Sequence, residues 1–105
     1  MLVLKSDIQL RSGVLSINEY PHGNRTMHRH HCSECGTALW YNFSDNDKYV
    51  SIQTGTLDSP DSFAPIAQLW VSSAVAWASP PDNLTAFDQQ PELTDLIEMW
   101  RKEHP

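Results

Sequence analysis

The sequence predicts a mainly β fold that ends in one α-helix. Most apolar segments are short and alternate with polar residues, which is typical of half-buried strands. Clusters of Gly, Pro, Asn, Asp and Ser separate these segments, as expected of turns. Only near the C-terminus does the apolar spacing change to the helical period. A length of 105 residues corresponds to one domain with a modest core.

Six segments have the composition of strands. They are residues 3–9, 14–20, 38–43, 49–54, 66–72 and 75–78. The third and fourth are expected to form a hairpin across the loop at Asp45-Asn46-Asp47, and Pro80-Pro81-Asp82 is expected to end regular structure. The β domain is predicted to span residues 1–88.

The predicted helix lies in residues 89–105. Pro91 suits the first helical position, and Arg101 and Lys102 lie in the last turn, where they complement the helix dipole. One apolar stripe recurs at helical spacing and consists of Leu93, Leu96, Ile97 and Trp100. We expect this stripe to pack on the domain itself or on a partner subunit.

The charge balance limits the possible partners. Seven Lys and Arg residues stand against thirteen Asp and Glu residues, for a formal net charge of −6. Phosphate binding needs clustered basic residues, so neither nucleic acid nor an anionic membrane is an expected partner. The apolar start at residues 1–4 is interrupted by Lys5, Ser6 and Asp7, which is unlike a signal peptide. We therefore expect a cytoplasmic protein whose cysteines are reduced.

Both cysteines lie in one run, H-R-H-H-C-S-E-C-G-T at residues 28–37. The two-residue spacer between Cys32 and Cys35 lets a tight turn direct both sulfurs to one point, and Gly36 can adopt the positive φ that such a turn often needs. This is the pattern of a zinc knuckle. A structural zinc site takes four ligands, so either histidines or a second chain supply the others, or the site is a relic. The predicted ligands are Cys32, Cys35 and His30, or a symmetry-related cysteine pair in place of the histidine.

The other histidines are weaker candidates. His30 and His31 are consecutive and point to opposite faces of a strand, so at most one reaches the metal, whereas His28 and His30 share a face. Two other chemistries are less well supported. A redox dithiol usually precedes a helix, but here a strand follows the cysteines. A serine hydrolase lacks its usual G-x-S-x-G motif in this chain.

A series of landmarks recurs along residues 1 to 87: Gly13, Tyr20, residues 29–39 (RHHCSECGTAL), residues 55–58 (GTLD), Pro65, Leu69-Trp70, Trp77 and Phe87. In this order and approximate spacing, the chain resembles the GFA family, the glutathione-dependent formaldehyde-activating enzymes and their CENP-V relatives. This resemblance implies an Mss4-like fold, in which folded-over antiparallel sheets are braced by zinc.

The chain also departs from the family pattern. Family members carry a C-x-C-G hairpin and a C-x-C-x-x-C segment, and both lie before the point that matches the start of this sequence. The resemblance implies that the first pair joins Cys32 and Cys35 at a structural zinc, and that the trio holds the catalytic metal. Gln68 and His31 stand where the family often has His and Phe.

The resemblance allows two functions. The first is a non-catalytic binding or assembly domain that retains a zinc-knuckle Cys-x-x-Cys. The alternative is a carbon–sulfur lyase acting on glutathione–formaldehyde adducts or related small thiol conjugates. A sheet without the family's first hairpin has an unpaired strand edge, so we also expect a homodimer.

Overall fold

The computed structural model describes residues 1–78 and 81–105, and it is mainly β with a C-terminal helix, as predicted. The chain divides into two compact units, residues 1–62 and residues 63–105. The strands are β1 (Leu2–Leu4), β2 (Leu15–His22), β3 (Arg25–Cys32), β4 (Ala38–Phe43), β5 (Tyr49–Ile52), β6 (Ala67–Gln68) and β7 (Thr85–Ala86). The helix α1 spans Leu93–Glu103. No helix in the described part of the chain is both long and apolar enough to cross a membrane.

The first unit is a five-stranded antiparallel sheet with the order β1-β5-β4-β3-β2. The β2–β3 hairpin is its longest pairing and runs from Leu15 opposite Cys32 to His22 opposite Arg25. Gly23, at a φ of 65°, turns the chain between the two strands. This arrangement leaves β2 and β1 at the edges of the sheet and places β3 and β4 side by side, joined by residues 33–37.

The core of the first unit is small. Among the described residues, Val50 on β5 is the one buried hydrophobic residue, with 2% of its surface exposed. Several large apolar side chains of the same unit remain accessible, including Leu10, Val14 and Ile17. The sheet is therefore thinly covered, and much of its apolar surface contacts solvent in the single chain.

The second unit contains a short parallel pair of strands and the helix. Ala67 pairs with Thr85 and Gln68 with Ala86. On α1, the apolar stripe is only partly covered: Leu93, Leu96 and Ile97 are half-buried, and Trp100 is 53% exposed and stacks on His104 at 4.5 Å between ring centroids.

Several predicted elements need correction. The first strand ends at Leu4 because residues 5–7 form a 3₁₀ turn. The strand predicted at residues 66–72 is only two residues long, because Trp70 adopts a left-handed conformation with a φ of 60° and a 3₁₀ turn follows. Residues 76–78 form a turn and a bend rather than part of a strand. Pro91 precedes the N-cap residue Glu92 and so is not the first helical residue.

Other predictions hold. The strand at residues 38–43 is β4, and its hairpin with the next strand forms as expected, although β5 ends at Ile52 rather than at residue 54. Residues 25–32 form β3, which lies outside the six predicted strand segments. Of the predicted break at Pro80-Pro81-Asp82, Pro80 lies outside the described residues.

Candidate functional site: a cysteine turn beside a sheet groove

The two cysteines lie on the turn that joins β3 to β4. The N–H of Gly36 donates to the carbonyl of Cys32 at 2.9 Å, and the N–H of Cys32 donates to the carbonyl of Thr37 at 2.9 Å. Gly36 has a φ of 74°, a conformation that few residues other than glycine adopt readily. These bonds close the turn on itself and confirm the tight geometry that the Cys-x-x-Cys-Gly spacing predicted.

A neighbouring segment anchors the same turn. Cys32 is the last residue of β3 and lies opposite Leu15 on β2. Just beyond it, the N–H of Ser33 donates to the carbonyl of Val14 at 3.1 Å. The start of the turn is therefore held by the β2–β3 hairpin, and its end leads directly into β4.

Both thiols are free, with Cys32 half-buried and Cys35 exposed. The Cys35 sulfur lies 3.1 Å from the hydroxyl of Thr37. The pKa of the Cys35 thiol is lowered, chiefly because the Thr37 hydroxyl can hydrogen-bond to the thiolate; the Thr37 backbone and the Cys32 side chain add to the effect. The turn thus brings two sulfurs close together and favours the ionised form of the outer one, which is the form that binds metals.

His30, the predicted third ligand, has a different set of contacts. Its Nε2 lies 3.0 Å from the side-chain oxygen of Asn42, which can only accept, so Nε2 donates. The ring stacks on Trp40 with centroids 5.0 Å apart. Nδ1 is buried and, within the described residues, has no hydrogen-bond partner. This tautomer leaves Nδ1 with a free lone pair, as a metal-ligating histidine would have.

The remaining histidines are dispersed. His28 lies 3.7 Å from Glu19, and His22 lies near the Phe43 ring, 5.9 Å between centroids. His31 is on the face of the sheet opposite to His30, as strand geometry predicts. Nowhere in residues 1–78 and 81–105 do three or more His, Cys, Asp or Glu side chains form a group that could hold a metal ion.

The donor set can be compared with what zinc requires. A structural zinc site takes four ligands in a tetrahedral arrangement. The described residues bring together two suitable sulfurs, Cys32 and Cys35, at the end of a closed turn. These two residues would supply two of the four ligands. The described residues of one chain do not bring further ligands together with them.

A groove lies beside the cysteine turn on one face of the sheet. It has a volume of about 630 Å³, within the range of small-molecule sites. Gly36 lines it at the end nearest the turn, and the rest of its lining consists of Asn18, Met27, Arg29, His30, His31, Ala38, Trp40, Tyr41 and Gln53. His30 is the predicted third metal ligand and His31 a weaker ligand candidate; the other side chains of this lining were not predicted as functional residues. A sequence signal for part of this lining exists on β3, where alternate residues share one face of the strand. These residues are Arg25, Met27, Arg29 and His31.

The fold and the cysteine turn define a class of protein: a small antiparallel β domain with a closed Cys-x-x-Cys-Gly turn between two adjacent strands. The family model described as "Glutathione-dependent formaldehyde-activating enzyme" matches residues 1–73, and the chain belongs to this GFA family. Searches of curated proteins and of solved structures gave no significant match.

Proposed function

We propose that this GFA domain is a non-catalytic binding or assembly domain in which Cys32 and Cys35 contribute two thiolates to a zinc site. The observation that carries the proposal is the closed turn, in which the Gly36 N–H bonds to the Cys32 carbonyl and the two sulfurs converge. A reducing compartment such as the cytoplasm would keep both thiols available to the metal.

We propose that His30 supplies a third ligand and leaves the fourth position open, or that the cysteine pair of a second copy completes the set of four. His30 is supported by its free Nδ1 and by the bond from Nε2 to Asn42, which resembles the outer hydrogen bond of metal-bound histidines. A second copy is supported by the exposure of Cys35 at the surface of the first unit. Each arrangement gives a different ratio of zinc to protein.

We also propose that the chain forms a homodimer. Strand β2 is an edge strand of eight residues, and its side chains Ile17 and Tyr20 are exposed. A long edge with free backbone donors and acceptors is a template for pairing with another chain. Pairing of β2 with its copy would extend the sheet and cover Ile17.

The alternative function is a carbon–sulfur lyase acting on glutathione–formaldehyde adducts or related thiol conjugates. Membership of a family described by that activity favours it. The described residues do not bring together a third metal-binding side chain at the turn, so the binding domain is the first proposal.

Metal analysis together with native mass measurement tests these proposals. Half a zinc ion per chain in a dimer, as when two cysteine pairs share the metal, or no zinc would support the binding domain. One zinc ion per chain with a free coordination position, as when His30 is the third ligand, would favour the lyase. Cys32→Ser and Cys35→Ser should each abolish zinc retention, whereas Ser33→Ala in the same turn should not. Full zinc retention in both cysteine variants would overturn the zinc proposal.

A turnover assay separates the two functions. Glutathione mixed with formaldehyde is incubated with the zinc-loaded protein, and formation and breakdown of the adduct are followed by NMR. A rate above the uncatalysed exchange that is lost in Cys35→Ser would establish the lyase and exclude the non-catalytic domain.

A further inference from the structure

We propose that the groove beside the cysteine turn binds a small organic carboxylate, with the guanidinium of Arg29 as its anion contact. This inference depends on the groove alone. It requires neither bound zinc nor either of the functions proposed above.

The first argument is the distribution of charge. Because side chains alternate along a strand, one face of the β2–β3 hairpin collects Asn18 and Tyr20 from β2 and Arg25, Met27, Arg29 and His31 from β3. None of the strand positions on this face of the described sheet is Asp or Glu. The acidic residue of β2, Glu19, lies on the opposite face near His28. Because Arg25 pairs with Asp45, the uncompensated positive charge of this face comes from Arg29, in a chain of net charge −6.

The second argument is that the guanidinium of Arg25 has a carboxylate partner, whereas that of Arg29 does not. Arg25 is satisfied, because its guanidinium lies 3.5 Å from a carboxylate oxygen of Asp45 and 3.7 Å above the Phe43 ring. Arg29 is exposed, and its Nε contacts only the sulfur of Met27 at 3.2 Å, which is a weak acceptor. In the part of the chain that the structure describes, no carboxylate lies within 4.0 Å of Arg29. The terminal nitrogens of the Arg29 guanidinium are therefore available to donate hydrogen bonds to an anion.

The third argument is the position of Arg29 within the groove. Pairing places Asn18, Arg29, Tyr41 and Ser51 in one row across four strands. The Arg29 guanidinium lies 5.0 Å from the centre of the Tyr20 ring, which limits its orientation. The neighbouring Asn18 and Tyr41 add an amide and a half-buried aromatic surface. A ligand with a charged head and an apolar body matches this row.

The chemistry favours a carboxylate over a phosphate. A carboxylate is planar and singly charged, and one guanidinium can bind both of its oxygens. A phosphate carries more charge and usually recruits several cations or backbone N–H groups. The groove offers one unpaired guanidinium, so it suits a singly charged carboxylate better than a phosphate.

Titrations followed by amide NMR shifts test the assignment with three probes: benzoate, its neutral analogue benzamide, and phenyl phosphate. Benzoate is expected to shift the amide signals of Arg29 and Tyr41 and to bind at least about tenfold more tightly than benzamide, because the ion pair is lost in the amide. Phenyl phosphate is expected to bind no more tightly than benzoate.

Variants locate the contact. Arg29→Gln should weaken benzoate binding about tenfold. Arg29→Lys should retain only part of the parent affinity, because a lysine keeps the charge but cannot bind both carboxylate oxygens as a guanidinium does. Arg11→Gln removes an equal charge from an exposed loop and should leave binding unchanged. Unchanged spectra outside the groove establish that each variant is folded.

Three outcomes would overturn the inference. They are an absence of benzoate shifts in the groove, equal binding of benzoate and benzamide, and equal affinity in Arg29→Gln and the parent chain. Tighter binding of phenyl phosphate than of benzoate would overturn the assignment to a carboxylate.

Discussion

The hydroxyl of Thr37 lies 3.1 Å from the sulfur of Cys35 and, of the groups that contact this thiol, contributes most to lowering its pKa. Thr37 follows Gly36, so its position depends on the positive φ of the glycine. The backbone of the turn and the ionisation of its outer thiol are therefore linked.

Removing that hydroxyl should change the reactivity of the thiol. A lowered pKa means that the thiolate of Cys35 forms at a lower pH than in an ordinary cysteine, so alkylation begins at a lower pH. Thr37→Val removes the donor and should move the alkylation profile of metal-free protein to higher pH. The profile is measured with iodoacetamide and mass spectrometry.

Thr37→Ser is the matched control, because it keeps the hydroxyl and should keep the profile near that of the parent. Identical profiles for the parent and Thr37→Val would show that the hydrogen bond does not control this thiol.

The turn should also be sensitive to substitution of Gly36. A Cβ at this position would meet no atom within 4 Å, but the φ of 74° is strained for an L-residue. Gly36→Ala should therefore lower the free energy of unfolding by about 1 kcal/mol, through backbone strain alone. Urea denaturation measures the change.

Gly55→Ala provides the comparison, since Gly55 also has open space around it but does not have a positive φ. We expect this substitution to be neutral or slightly stabilising. A loss of stability of the same size in both variants would contradict the role of the Gly36 conformation.

Because the core is small, truncation of a buried side chain should destabilise the protein much more than truncation of an exposed one. Val50→Ala removes two methyl groups from the one buried hydrophobic residue in the described chain and should cost about 2 kcal/mol. Val14→Ala makes the same chemical change at a side chain that is 71% exposed and should have little effect. Thermal unfolding of the two variants side by side tests whether the core is centred on β5.

Trp100 gives a test of association. Truncation of a fully enclosed tryptophan to alanine costs about 3 to 5 kcal/mol. Trp100 is 53% exposed in the single chain, so we expect a loss of no more than about 1 kcal/mol when the protein is dilute. A larger loss that grows with protein concentration would show that Trp100 packs against a second copy.

Thr94→Ala, at an exposed position on the same helix, is the control for helix propensity. Sedimentation equilibrium of the parent, Trp100→Ala and Thr94→Ala separates loss of packing from loss of association.

The sequence by itself determined the features that depend on local patterns. Alternation of apolar and polar residues predicted β4 and its hairpin with β5, and the 3.6-residue spacing of Leu93, Leu96, Ile97 and Trp100 predicted α1. The spacing of Cys32, Cys35 and Gly36 predicted a closed turn, because the geometry of such a turn involves only neighbouring residues.

Only the tertiary structure decided what depends on strand register and on distant contacts. The pairing of Asn18, Arg29 and Tyr41 builds the groove from residues of three strands, and no local pattern specifies which residues become neighbours across a sheet. His30 illustrates the same limit: its contacts with Asn42 and Trp40 depend on how β3 pairs with β4, whereas the sequence shows only that it precedes the cysteines.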